Sequence, residues 1–292
     1  MKTKSDKKFN NTVLIPTDFS EVCDNAVQHG IELASSLKYK VCILHVVNRE
    51  TRSKLRKEDE DISSIEMKLL AYKKKFEKKF GVEIETKWVK GNLFSRIKKV
   101  AEDLKVNLMI LGTHGKKGLQ HLFGSYALKV VLESPVPVIV VQKKSFGKGY
   151  KNIVFPVSND VESRQEVQWA RLIAKLFQAK LHIFRSREKD PVMNDRLEII
   201  TRQLTGVFSG EKVKYLVKVA DKPGNFADQV ISYAAANNAD LIMIMTRPNI
   251  DIPGFSLSGW DERLMFNEAQ VPVMCINPVE ISSYYWDWVV QF

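Results

Sequence analysis

Two short stretches of the 292-residue chain carry residue types able to hold an anionic ligand. One is Gly112-Thr113-His114-Gly115, followed after eight residues by Gly124-Ser125. Glycine takes positive φ without a Cβ clash and lets a backbone approach a ligand closely, and free N–H groups at a helix start attract anions. Gly112, Gly115 and Gly124, with Thr113 between them and the Ser125 hydroxyl beside them, therefore suggest a phosphate cradle. It is not a Walker A loop, which needs Gly-Lys-Ser/Thr, nor the compact Rossmann fingerprint, which follows a first strand. The other stretch is Pro16-Thr17-Asp18-Phe19-Ser20. Asp18 or Ser20 could cap a helix there, and Asp18 is equally a short acceptor suited to an amino group or a ribose hydroxyl. Val46 could pack on a base or belong to the core. His114 is a weak candidate for a general base in a loop built for backbone contacts, and no Ser-His-Asp, Cys-His or paired-carboxylate arrangement follows from spacing. Cys23, Cys42 and Cys275 lack CxxC spacing, which argues against zinc and against a disulfide framework.

The elements that must position these residues alternate. Thr12–Pro16, Val41–Val47, Val82–Trp88, Leu108–Leu111 and Pro137–Val141 read as short β-branched strands. Glu21–Leu37, Glu58–Phe80, Leu93–Leu104 and Gln120–Glu133 carry apolar residues at helical spacing. Strand then helix, repeated, predicts a parallel sheet covered on both faces, with ligands bound beyond the carboxyl ends of the strands.

The pattern then recurs. A shift of 140 residues lays Val13-Leu14-Ile15-Pro16 over Ile153-Val154-Phe155-Pro156, a shift of 133 aligns Gly91-Asn92 with Gly224-Asn225, and a shift of 135 pairs Val136-Pro137-Val138 with Val271-Pro272-Val273. Changing offsets mark two copies of one unit with different loops. The expected domains are residues 1–146 and 150–292, divided where Lys144–Tyr150 interrupts the pattern with two glycines.

Composition narrows the function classes. Hydrophobic residues at 45% and charged residues at 27% are values of a folded globular chain. No apolar run approaches the ~20 residues of a membrane-spanning helix, and Met1–Asn11 lacks the apolar core of a signal peptide, so cytoplasm is the expected compartment. The formal charge of +11 lies wholly in the first copy, with 28 Lys and Arg against 17 Asp and Glu through Phe146. Much of it falls in Arg49–Lys79, as a solvated helix face or a steering field for an anionic partner. Nucleic acid ranks lower, because no zinc-finger, RRM or helix-turn-helix signature accompanies the charge.

Val13-Leu14-Ile15-Pro16-Thr17-Asp18-Phe19-Ser20, the strand end Leu44-His45-Val46, and Gly112-x-x-Gly115-(x)8-Gly124-Ser125 together resemble the universal stress protein family, and the whole chain looks like a tandem member. The spacer is one residue shorter than is usual in the ATP-binding branch. The resemblance implies an α/β fold of two tandem five-stranded parallel-sheet domains with helices on both faces, related to the adenine-nucleotide α-hydrolase-like and Rossmann-like folds. It also implies ATP across the strand ends of the first domain. Asp18, with Pro16 and Thr17, would hold the adenosine end and Val46 would line the base pocket. Gly112, Thr113, Gly115 and Gly124 would approach the phosphates, and Ser125 would bind them. Mg²⁺ would be held by the phosphates, since no cluster of metal-ligand spacing is present.

The function expected from this reading is an ATP-binding stress-response regulator whose occupancy alters a surface or assembly read by another protein. A nucleotide-free scaffold docking an acidic partner, and an ATP-using enzyme of a related fold, are the alternatives. In the second copy Asp18 becomes Ser158, Val46 becomes Ser186, Gly112-Thr113-His114-Gly115 becomes Met245-Thr246-Arg247-Pro248, and Gly124-Ser125 becomes Gly259-Trp260. One nucleotide per chain follows as an expectation. An intramolecular pseudo-dimer around Val138–Val141 and Val273–Ile276 is expected too, with a homodimer through the aromatic end Tyr284–Phe292 as a further possibility.

Overall fold

The computed structural model describes residues 9–113, 121–159, 165–246 and 259–278, and within 121–126 the backbone alone. His114, Gly115, Lys116, Lys117, Arg247, Pro248 and the aromatic segment Tyr284–Phe292 lie outside the described residues.

The first half runs β1 (Thr12–Pro16), α1 (Glu21–Leu37), β2 (Lys40–Val47), α2 (Arg49–Lys57), α3 (Ile62–Phe80), β3 (Ile84–Lys90), α4 (Leu93–Asp103), β4 (Leu108–Gly112), α5 (His121–Glu133) and β5 (Val138–Val141). The second half repeats this with one helix fewer among the described residues: β6 (Asn152–Val157), α6 (Glu166–Phe177), β7 (Lys180–Arg185), α7 (Pro191–Gly210), β8 (Lys214–Val219), α8 (Phe226–Ala236), β9 (Leu241–Met245), α9 (Gly259–Met265) and β10 (Val273–Ile276). All ten strands form one sheet in the order β3-β2-β1-β4-β5-β10-β9-β6-β7-β8. Pairing within each half is parallel, and β5 joins β10 antiparallel, Ile139 opposite Met274.

The strands are apolar along their length because both faces are covered. Val13 and Ile15 pack with α1 and α3 on one face, and Leu14 packs with α4 and α5 on the other. The corresponding pairs in the second half are α6 with α7 and α8 with α9.

One expected element divides. The helix read as Glu58–Phe80 begins only at Ile62, and a separate helix, α2, precedes it. Asp59 takes a left-handed φ of 53°, and Asp61 caps α3 by accepting from the Ser63 N–H at 2.8 Å. The four acidic residues 58–61 thus form a joint rather than a first turn. The third strand is also shifted, running to Lys90 in register with Val47.

The halves are clamped by amides placed alike in both. Gln142, just after β5, donates to the Asn267 carbonyl beyond α9 at 3.0 Å. Asn277, just after β10, directs its NH₂ to the carbonyls of Val131, Leu132 and Ser134 at the end of α5, at 2.6, 3.2 and 3.0 Å. These are carbonyls a helix end leaves without an intrahelical partner.

The segment between the copies is packed rather than loose. Phe146 and Tyr150 are buried against Phe177, and Gly149, at φ 84°, brings its backbone so close to the Phe177 ring that a Cβ would stand 2.5 Å from it. His29 of α1 shares a 2.7 Å hydrogen bond with the Tyr150 hydroxyl, and burial pushes the His29 imidazole down to about 3. The folded protein therefore keeps His29 neutral where the unfolded chain, titrating near 6.5, takes up a proton. Stability contributed by neutral His29 is present above pH 6.5 and falls by about 1.4 kcal/mol per pH unit below it, toward pH 3. The expected result is that His29→Gln flattens the loss of urea resistance between pH 6.5 and 4 by roughly one proton's worth. His45 and His182, lowered chiefly by burial, add to the remaining slope in the same direction. An unchanged slope in the variant would show that His29 is not the group responsible.

Candidate functional site

The strand order places β1 between β2 and β4. The chain leaves β1 into α1 on one face of the sheet and leaves β4 toward α5 on the other, so the loops part at this point and open a crevice. A cleft of about 920 Å³ lies there. Pro16, Thr17 and Asp18 line it from β1, Val46 from β2 and Gly112 from β4. Five of the nine residues expected at the site thus meet in one cavity. Ala127 and Val130 of α5 form part of its wall.

The first loop is held by its own polar groups. The Thr17 N–H donates to the Leu44 carbonyl at 2.8 Å, its hydroxyl oxygen accepts from the Phe19 N–H at 3.0 Å, and its carbonyl accepts from His45 Nδ1 at 2.8 Å. Thr17 is buried and shapes the loop. Phe19, at φ 66°, stacks on the His45 ring with centroids 4.7 Å apart. Ser20 caps α1, accepting from the Cys23 N–H at 3.4 Å.

Asp18 stands exposed at the cleft and accepts from the Ser20 N–H at 2.9 Å. Desolvation pushes its carboxyl up, but hydrogen bonds from Ser20 and Cys23 outweigh that and hold it below its ordinary value. At neutral pH it is a charged acceptor, able to receive an N–H or O–H from a ligand. Val46 is buried at the strand end, and Leu55 and Ile65 from α2 and α3 extend the apolar wall. This pairing of an apolar chamber with a few polar groups is the usual make-up of a small-molecule site.

Nothing in the described part of the cleft is activated for catalysis. His45 is lowered mainly by burial, and its Nδ1 proton is committed to the Thr17 carbonyl. The Cys23 thiol is pushed up to about 12, chiefly by burial and then by the Asp18 charge, so it is not a thiolate nucleophile. Among the described residues no group of three or more His, Cys, Asp or Glu is placed to hold a metal.

The remaining site residues divide differently. Thr113 is buried, and its N–H closes a 2.9 Å bond to the Val141 carbonyl. Gly115 lies outside the described residues. Gly124 and Ser125 lie within α5, which already begins at His121, and their side chains lie outside the description. Gly112 has a second reason for being glycine. A Cβ there would stand 2.9 Å from the Val22 carbonyl oxygen, 3.1 Å from Val22 Cγ1 and 3.2 Å from Ala26 Cβ, so its size lets α1 lie against β4.

Helix α2 was the part of the cleft that sequence reading missed. Thr51, Lys54 and Leu55 line the cavity, yet the segment is so cationic that it read only as a charged run. Asn48-x-x-Thr51 was the available signal: the Asn48 side chain accepts from the Thr51 N–H at 2.9 Å and caps the helix.

At the corresponding strand ends of the second half, aromatic side chains replace aliphatic ones among the described residues. Phe184 and Phe226 stand where Leu44 and Leu93 line the first cleft. Tyr233, Phe184, Phe226 and Trp260 stack in series, with centroids 4.6, 5.7 and 6.4 Å apart. Ser186, in place of Val46, is buried and donates to Glu188 at 3.0 Å.

A family model described as the universal stress protein family matches residues 10–142. Two universal stress proteins of Methanocaldococcus jannaschii are similar to part of the chain. One is 33% identical over 144 residues, 45% of this chain and 81% of the relative, and the other 30% identical over 155 residues, 46% of this chain and 95% of the relative. The crystal structure of a universal stress protein from Archaeoglobus fulgidus superposes on 92% of this chain and 98% of its own, with a TM-score of 0.73. At 18% identity that likeness concerns the fold, and it spans both halves.

Because Gly112 carries helix packing as well as the cleft wall, Gly112→Ala is expected to destabilise the ligand-free protein by about 1–3 kcal/mol through overpacking against Val22. Urea unfolding without nucleotide measures it. A wild-type midpoint would mean that α1 can yield and that the packing account is wrong.

Proposed function

The chain belongs to the universal stress protein family, and from that premise we propose that it is an adenine-nucleotide-binding regulator which takes one ATP per chain in its first half. The observation that carries this is the convergence of Pro16, Thr17, Asp18, Val46 and Gly112 on one cleft of about 920 Å³ at the switch point of the sheet. The adenine face packs on Val46 and Leu55, the charged Asp18 accepts from the nucleoside, and the phosphates run past Gly112 toward the start of α5. Backbone N–H groups at the start of α5, with the helix dipole behind them, favour an anion there. Mg²⁺ enters with the phosphates, because the described residues offer no carboxylate cluster for it.

The protein is not an ATP-consuming enzyme in this reading. His45 and Cys23 are held in inert forms, and no described group is placed to activate water. The second half keeps the fold and gives up the ligand, a reading supported by Ser158 and Ser186 in place of Asp18 and Val46 and by Phe184 and Phe226 in place of Leu44 and Leu93. Occupancy of the first half is then a signal that another protein reads.

Calorimetric titration of the full-length chain with ATP is expected to give one site, and chromatography of the mixture to return intact nucleotide. Val46→Arg, placing a charge in the apolar chamber, is expected to weaken binding about tenfold or more, and Asp18→Ala by a lesser factor. Two sites, no site, or turnover of order ~10 per second would each overturn a stated part of the reading.

A further inference from the structure

Helix α2 has two chemically distinct sides. With successive residues turning about 100°, Glu50, Thr51, Lys54 and Leu55 line the cleft, Arg49, Arg52 and Arg56 share the opposite side, and Lys57 lies between that side and Glu50. All four of these cations are exposed. None of them forms an ion pair among the described residues. The six lysines of α3 divide: Lys68 pairs with Glu60 at 3.0 Å, Lys73 with Glu77 at 3.7 Å and Lys75 with Asp24 at 3.6 Å, whereas Lys74, Lys78 and Lys79 form no ion pair among the described residues.

The patch also has a boundary. Glu58, Asp59, Glu60 and Asp61 follow directly, and three of them are engaged within the molecule: Glu58 with Lys54 at 4.0 Å, Glu60 with Lys68, and Asp61 as the cap of α3. A nine-residue helix is about 13 Å long. A continuous polyanion running along the axis of α2, such as a nucleic-acid backbone or an anionic bilayer, would pass from these cations to the carboxylates. No aromatic side chain lies on this side of α2 to stack a base. A short carboxylate-rich peptide fits both limits, and three arginines can each take a carboxylate through their paired N–H groups.

We propose that the outer face of α2, formed by Arg49, Arg52 and Arg56 with Lys57 at its edge, docks an acidic segment of a partner protein. Leu55 is the one buried residue of this helix, so α2 is lightly anchored between the partner face and the cleft. A ligand touching Thr51 or Lys54 from inside changes how the outer cations are presented. This second statement rests on the cleft being the nucleotide site, and the docking face itself does not.

The test is fluorescence anisotropy of a labelled oligoglutamate peptide titrated with the full-length chain at low ionic strength. Arg52→Glu combined with Arg56→Glu is expected to weaken binding about tenfold or more, and Arg52→Gln with Arg56→Gln by an intermediate factor. Lys74→Glu with Lys78→Glu, the same charge change on the exposed side of α3, is expected to weaken it less than about twofold. Equal losses in the two charge-reversed proteins, or a wild-type chain that ignores the peptide, would mean a diffuse field without a docking site. A duplex oligonucleotide that binds more tightly than the peptide and is lost in the α2 variants would also overturn the proposal. Saturating ATP is expected to shift peptide affinity about threefold or more. If ATP binds and the peptide affinity does not move, the link between cleft and face is wrong. If ATP does not bind at all, the nucleotide reading fails, and the charge-reversal comparison alone decides the docking face.

Discussion

The antiparallel pairing of β5 with β10 is the contact on which the rest of the architecture depends. Each is a four-residue strand that would otherwise end a five-stranded sheet with a row of unpaired backbone groups. Pairing them turns two exposed edges into the middle of a ten-stranded sheet. The amide clamps follow from it, because Gln142 and Asn277 stand immediately beyond the paired strands and reach the carbonyls at the far ends of α9 and α5. The join also sets direction. With every other neighbour parallel, the strand ends of the first half point to one end of the sheet and those of the second half to the other. The cleft and its counterpart therefore lie at opposite ends of the sheet.

Within that frame the two halves spend their strand ends differently. Leucines 44 and 93 line an open chamber; Phe184 and Phe226 at the matching places belong to a run of stacked rings. Phe184 is buried there, and Phe226, Tyr233 and Trp260, half-buried, pack against the core around it. The first half differs. Its cleft is walled partly by α2, a helix with one buried residue, and its loop is kept in shape by the hydrogen bonds of Thr17 and the Phe19–His45 stack. Openness and light anchoring are what a site that must admit and release a ligand requires.

The fold was largely legible because its signals are local and repeat. Alternating apolar strands and amphipathic helices, found twice with shifted offsets, already specify two parallel α/β units. The clearest misreading, the Glu58–Phe80 helix, arose where charge hid a boundary: Asp59 and Asp61 look like first-turn acids, yet they form a left-handed joint and a cap. Of the residues expected at the site, Asp18, in the loop after the first strand, and Val46, expected from the family resemblance, both line the cleft. Gly112 was found for an incomplete reason, since a glycine that lets a ligand approach and one that lets a helix approach look alike in sequence.

The sequence by itself determined the layer architecture, the duplication, the loops of the first half that line its cleft and their replacement in the second, because periodicity and turn chemistry act over a few neighbouring residues. Only the tertiary structure decided which helix walls the cleft, how the β5 and β10 edges meet, and which partners His29, Asn277 and Gly112 were selected to suit. Those contacts join residues more than a hundred positions apart, as between His29 and Tyr150 or between Asn277 and Val131, or turn on the distance between one backbone and another. A one-dimensional pattern carries neither quantity, since both exist only once the chain has closed on itself.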